Sequence, residues 1–253
     1  MLKIDMDNIS TVAANKAHVC NEHLPIFFMR AIMAGFFIVV AVLLSNVTAA
    51  VLFPKYPEFA KVSGAFLFSI AIVLIVFIGG ELFTGNNMTM ALGVYNKRCT
   101  VVDMLKVWGI SYVGNFIGAF VLSLIYIFSG SAKAIMVDYY NAIIPAKLSA
   151  TPVELLLRGI LCNFLVCLAV WTGTRMKSES GKLVVMFCII MTFVISGFEH
   201  CIANMGTFSI AAFFCDNLDW MAVLQNMIIV TIGNILGGAV LLAGPLKLMS
   251  WDK

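Results

Sequence analysis

Gly197-Phe198-Glu199-His200-Cys201-Ile202-Ala203-Asn204-Met205 sets a carboxylate, an imidazole and an amide inside an otherwise apolar run. A charge at the centre of a bilayer costs at least about 2.5 to 3.5 kcal/mol, so a membrane helix carries such groups only where they face protein or a water-filled cavity. A second stretch, Gly80-Glu81-Leu82-Phe83-Thr84-Gly85-Asn86-Asn87-Met88, breaks another apolar run in the same way. Both read as unwound segments near the middle of a membrane, and the rest of the chain is organised around them.

The composition agrees. Of 253 residues, 62% are hydrophobic and 11% charged, and the mean hydropathy is +1.01. These values exclude a soluble globule and indicate an integral membrane protein. A net charge of +3, with its lysines and arginines scattered between apolar runs, does not suit nucleic acid. Cys162, Cys167, Cys188, Cys201 and Cys215 lie in or beside apolar runs, where cysteine acts as a small hydrophobe, and no disulfide is expected. His18, Cys20 and His23 stand close together without the four ligands that structural zinc requires, so no metal site is expected, and no cofactor either. Residues 1–24 form a charged, amphipathic lead-in and do not resemble a cleaved signal peptide.

Six membrane spans follow from the charge-free runs. The first covers about Pro25 to Phe53, the third Val107 to Ala132, the fourth Thr151 to Arg175 and the sixth Trp220 to Leu246. The second and fifth are each expected as two half-helices: Val62 to Glu81 with a piece continuing to Asn96, and Leu183 to Gly197 with Thr207 to Phe214. One face then collects Lys3, Lys16, Arg30, Lys97, Arg98, Lys106, Arg175, Lys177, Lys182, Lys247 and Lys253, against Lys55, Lys61, Lys133, Lys147 and Arg158 on the other. The positive-inside rule puts both termini in the cytoplasm.

An internal repeat supports this division. Gly114-Asn115-Phe116-Ile117-Gly118 is echoed 119 positions later by Gly233-Asn234-Ile235-Leu236-Gly237, and Glu81 with Asn86 is echoed 118 positions later by Glu199 with Asn204. Arg30-Ala31-Ile32 resembles Arg158-Gly159-Ile160. Two copies of a three-span unit, at 25–132 and 151–249 within a single channel domain, must enter the membrane from opposite faces. The fold class is therefore an all-α membrane protein of two inverted three-helix repeats with the second and fifth helices broken. Matched interruptions in both halves point to a transport site. The glycines of the third and sixth spans are read as helix-packing positions.

Half-helices starting near Asn87 and Thr207 would aim their N–H groups at the cavity between them, which suits a small anion. His200 is read as a hydrogen-bond donor or proton partner for that anion. Thr84 would present a hydroxyl, and Asn204 is grouped with these pore residues. Glu81 and Glu199, with Asn86, are read as anchors for the loop backbone, since a carboxylate would repel an anion. Lys147 would gather anions at an outer vestibule. The competing class is a membrane enzyme with Glu199, His200 and Cys201 as acid, base and nucleophile; adjacent residues seldom point at one another.

Gly80 to Asn86, Arg158-Gly159-Ile160-Leu161-Cys162-Asn163 and Gly197 to Met205 resemble the signature motifs of the formate/nitrite transporter family, and within it the chain is similar to the hydrosulfide channel branch. The resemblance implies an aquaporin-like protomer with its own pore, assembled as a homopentamer in the bacterial inner membrane. It puts the central histidine at His200, the loop threonine at Thr84, the fourth-span asparagine at Asn163 and the vestibule lysine at Lys147. It also implies apolar constrictions at Phe68, Ile72 and Phe193 outside and at Leu82 and Phe83 inside. The expected cargo is a small monovalent anion, hydrosulfide first and formate or nitrite beside it, passing as the anion or, with a proton, as the neutral acid.

Overall fold

The computed structural model describes residues 2–250; Lys253, counted above for orientation, lies outside them. The regular structure among the described residues is all helical, with no strand. The lead-in is a helix, α1 (Leu2–Glu22), whose Met6, Ile9, Ala13, Ala17 and Cys20 are buried against the rest of the chain. Then come α2 (Leu24–Leu52), α3 (Pro57–Phe68), α4 (Ile70–Ile78), α5 (Phe83–Tyr95) and α6 (Val101–Ser129). The second half holds α7 (Lys133–Leu148), α8 (Pro152–Arg175), α9 (Glu179–Ile195), α10 (Cys201–Phe214) and α11 (Trp220–Ile235). A π-helical stretch, Leu236–Leu242, joins α11 to α12 (Ala243–Met249).

Five segments among the described residues are long and apolar enough to cross a membrane: Leu24–Leu52, Pro57–Ile78, Val101–Ser129, Pro152–Arg175 and Trp220–Met249. The fifth expected crossing is divided between α9, of 17 residues, and α10, of 14. The chain is a multi-pass membrane protein. Helix α6 starts six residues before the expected Val107, because Thr100 and Asp103 form a capping box that satisfies the first-turn amides. Helix α7, in what reads as a loop, was not expected at all. It is held by Tyr140, which is fully buried and accepts a hydrogen bond at 2.9 Å from Asn46 Nδ2 on α2.

The repeated glycines sit at the two tightest helix crossings. A Cβ at Gly118 would fall 2.0 Å from the Ile32 carbonyl oxygen on α2, and one at Gly237 would fall 2.2 Å from that of Ile160 on α8. No side chain fits such an approach, so α6 on α2, and α11 with its π-helical extension on α8, are set by these positions.

Candidate functional site

Each of the two interruptions turns at a glycine with positive φ. Gly79 (φ 95°) ends α4 and Gly197 (φ 72°) follows α9. The chain then runs extended through Leu82 or His200 into the next helix. Those helices start at Phe83 and Cys201, earlier than the expected Asn87 and Thr207. Thr84, Asn86 and Asn204 therefore stand on first turns of helix rather than on loop.

The exposed backbone finds partners from helices next to it. Glu81 N–H donates to the Arg30 carbonyl at 3.1 Å, and Glu199 N–H to the Arg158 carbonyl at 3.3 Å. Asn115 Oδ1 accepts from Phe83 N–H at 2.9 Å, while its amide donates to the carbonyls of Ala31 and Glu81 at 2.8 and 3.0 Å. Asn234 repeats this: it accepts from Cys201 N–H at 2.9 Å and donates to Gly159 and Glu199 at 2.8 and 2.9 Å. A backbone polar group with no partner in a membrane interior would cost several kcal/mol. The anchoring expected of Glu81, Glu199 and Asn86 falls instead to these two asparagines, as amides that donate and accept at once.

The two carboxylates are engaged otherwise. Glu199 Oε2 accepts from Lys147 Nζ at 2.6 Å and from Asn204 Nδ2 at 2.7 Å. Glu81 Oε2 accepts from Lys16 Nζ on α1 and from Asn86 Nδ2, the latter at 3.2 Å. Lys147 is thus ion-paired, and Lys16, which the sequence reading did not single out, is its counterpart. Asn204 also donates to Asn226 Oδ1 at 2.8 Å.

His200 caps α10: its Nδ1 accepts from Ala203 N–H at 3.1 Å. A neutral ring then carries its proton on Nε2, which lies 3.1 Å from Thr84 Oγ1 and donates to it. The Thr84 hydroxyl hydrogen has no acceptor among the described residues. Two residues expected separately in the pore are thus in contact across 116 positions of sequence. The expectation of helix N–H groups free for an anion is narrowed: Phe83, Cys201 and Ala203 N–H are taken by Asn115, Asn234 and His200, which leaves those of Thr84, Gly85 and Ile202 without a partner among the described residues.

Three cavities meet here. An inner one of about 450 Å³ is bordered by Lys16, Glu81, Leu82 and Asn86, and an outer one of about 200 Å³ by Lys147, Glu199, His200, Asn204 and Phe193. Between them lies a neck of about 10 Å³, apolar except for His200, lined by Phe68, Ile72, Phe193 and Leu82 together with Ile38 and Val166. That is about the space one water needs. Phe68 and Phe193 meet edge to face at 5.8 Å, and Phe193 stacks on the His200 ring at 6.0 Å. Phe83 does not join them: its ring packs at 4.9 Å on Tyr112, and among the cavities described it lines none. Asn163 and Thr84 likewise line none of them; Asn163 Nδ2 is spent on the carbonyls of Thr84 and Asn234 at 3.2 and 2.6 Å and on Asn87 Oδ1 at 3.0 Å. It positions the Thr84 turn.

The acid, base and nucleophile grouping is not assembled. Glu199 faces Lys147 and Asn204, and His200 faces Thr84 and its own helix. Among the described residues no three His, Cys, Asp or Glu side chains converge on a metal position; the His18 and His23 rings meet edge to face at 6.0 Å.

The family model described as formate/nitrite transporter matches residues 5–248. The chain is 34% identical over 222 residues to the formate channel BtFdhC of Bacillus thuringiensis, covering 87% of this chain and 85% of that protein. Its fold matches a solved FNT family ion channel at a TM-score of 0.89, with 26% identity and 97% and 98% of the two chains covered. It matches a pentameric formate channel with formate bound at 0.73, with 28% identity and coverage of 88% and 96%. With a family match spanning nearly the whole sequence and a shared helical architecture, this chain belongs to the formate/nitrite transporter family.

Proposed function

We propose that the protein is a channel for small monovalent anions, with the neck at His200, backed by Thr84, as its selective point. One observation carries this reading: His200, whose Nε2 lies 3.1 Å from Thr84 Oγ1, lines a 10 Å³ apolar neck that separates two wider, lysine-bordered cavities. An isolated carboxylate-like charge in such a neck would lose tens of kcal/mol of hydration, and in practice a group so placed is neutralised instead. His200 is the one polar side chain lining that neck, and the Thr84 hydroxyl behind it fixes the ring's orientation. A proton arriving with the anion, from water or through His200, would let it cross as the neutral acid.

Lys16 and Lys147 each spend one of three donors on a glutamate and keep the others toward the cavities. The paired carboxylate reduces the field each lysine exerts, so an anion is drawn in without being held. Six crossings, as two inverted three-helix repeats at 25–132 and 151–249 of one domain with the second and fifth interrupted, fit the duplicated contacts of Asn115 and Asn234. A homopentamer is supported by the pentameric channel of matching fold. The location in this reading is a bacterial inner membrane with both termini cytoplasmic.

Hydrosulfide rests on the branch resemblance of the sequence alone, while formate and nitrite are supported by the family match and by the formate channels the chain is similar to. Stopped-flow uptake of hydrosulfide, formate, nitrite and chloride into proteoliposomes tests the proposal. Saturable entry of one or more weak-acid anions, with chloride excluded, supports it. Chloride entering as fast as the others would remove the neck as selector, and purely electrogenic flux with no pH change would sink the neutral-acid route.

A further inference from the structure

Arg30 and Arg158 hold matching places, each giving its carbonyl to the N–H of an interrupting glutamate. Their side chains part company. Arg158 Nη2 lies 3.6 Å from Glu154, one turn earlier. The residue one turn before Arg30 is Ile26, and among the described residues the Arg30 guanidinium, which is exposed, has neither an ion pair nor a side-chain hydrogen bond. It borders an open groove of about 430 Å³ whose other walls are Pro25, Ile26, Met29, Met33, Phe37, Ile78 and Gly79. Arg30 stands six residues into α2, which begins at Leu24, or roughly 9 Å along its axis. At that depth a long cation reaches the headgroup layer while its stem lies in hydrocarbon.

A lone guanidinium at the head of an apolar trough, on the exposed surface of a multi-pass membrane protein, complements a molecule with an anionic head and a hydrocarbon tail. We infer that this groove is a binding site for an anionic phospholipid. The phosphate sits on Arg30, where a guanidinium offers two parallel donors, and one acyl chain lies along Met29, Met33 and Phe37. The lipid supplies the counterion that Glu154 supplies to Arg158. Arg30 and Ile78 also border the inner cavity, so the bound lipid braces the outside of that cavity's wall.

The test is native mass spectrometry of the full-length protein in neutral detergent, mixed with phosphatidylglycerol or phosphatidylcholine of identical chains. The unaltered protein is expected to retain phosphatidylglycerol in preference by about fivefold per site. Arg30→Gln should lose the preference. So should Ile26→Glu, which gives Arg30 an internal partner one turn away and keeps the arginine, so it also serves if Arg30→Gln does not fold. Equal retention of the two lipids by the unaltered protein, or a preference that survives both substitutions, overturns the inference. So would efficient disulfide cross-linking between two copies through Met29→Cys, which would assign the groove to a neighbouring subunit. If Arg30→Gln lowers anion uptake while lipid preference stays intact, the arginine serves the inner cavity and the lipid site is likewise refuted.

Discussion

The segments 79–83 and 197–201 share a backbone plan and differ in chemistry. Both have a left-handed glycine, a glutamate whose N–H goes to an arginine carbonyl, an asparagine that binds three backbone groups, and a carboxylate shared by a lysine and an asparagine. At the position before the helix, however, one has Leu82 and the other His200. Leucine offers the helix no side-chain cap; histidine caps it and still has a donor left for Thr84. The scaffold is symmetric and the site it builds is not. One half supplies an imidazole, the other a hydroxyl, and a protein with two identical segments would have neither a partner for the histidine nor an apolar face opposite it.

The shared plan is tested most severely at its asparagines. Asn234→Leu strips partners from Cys201 N–H and from the Gly159 and Glu199 carbonyls. Each unmatched buried group costs about 1–3 kcal/mol, so failure to yield folded protein is expected, and Asn115→Leu should do the same. Thermal melting and size exclusion in detergent measure it. If one variant folds normally and the other does not, the two segments are not mechanically equivalent.

The chemical difference is tested at His200. His200→Asn retains a good helix cap, since asparagine is among the best N-cap residues, but removes the Nε2 donor. The melting temperature should change little while anion uptake falls roughly tenfold or more, as expected for losing one hydrogen bond linked to a charge. His200→Ala should lose about 1 kcal/mol of cap stability as well. Unchanged uptake in His200→Asn would reduce the histidine to a cap. Thr84→Val, which removes the hydroxyl at nearly constant volume, should lower uptake by a similar or smaller factor, with Thr84→Ser restoring it.

Much of this arrangement was legible in the sequence because polar groups in a membrane are few. Glu81, Asn86, Glu199, His200 and Asn204 stand out against apolar neighbours, and their fixed spacing revealed the duplication. The partners were harder to see. Asn115 and Asn234 sit between glycines, where helix packing explains the motif without them. Lys16 reaches Glu81 across 65 positions from a helix that reads as a lead-in. The helix starts were misplaced because neither Leu82 nor His200 is a usual capping residue, so nothing local marked Phe83 and Cys201 as first turns. Phe83 was expected in the constriction because it adjoins Leu82, but on a helix consecutive residues point about 100° apart, and its ring goes to Tyr112.

The two lysines give a smaller effect that sharpens the comparison. Lys147→Met leaves Glu199 (side chain 5% exposed) with Asn204 alone, and Lys16→Met leaves Glu81 (9% exposed) with Asn86. An unpaired buried carboxylate is costly, but both sites open onto cavities that admit water, so a loss of about 1–3 kcal/mol is expected rather than the full penalty of a sealed pair. Adding Glu199→Gln to Lys147→Met, or Glu81→Gln to Lys16→Met, should recover most of the melting temperature without restoring uptake. Recovery of both would mean the lysines serve only to neutralise the glutamates.

The smallest expected effect belongs to the glycines that begin the segments. A Cβ at Gly79 or Gly197 would meet nothing within 4 Å, so packing contributes no penalty and only the backbone matters. Left-handed φ costs an L-residue roughly 1–2 kcal/mol, and asparagine less than alanine. Gly79→Ala and Gly197→Ala should therefore lower the melting temperature slightly and equally, with Gly79→Asn and Gly197→Asn nearer to the unaltered protein. Because each glycine precedes the residues that touch the neck, none of the four should change selectivity among anions. A selectivity change at Gly197 alone would show that His200 is aimed by the turn before it, whereas equal and purely thermal effects would leave its aim to Asn234 and to the cap on Ala203.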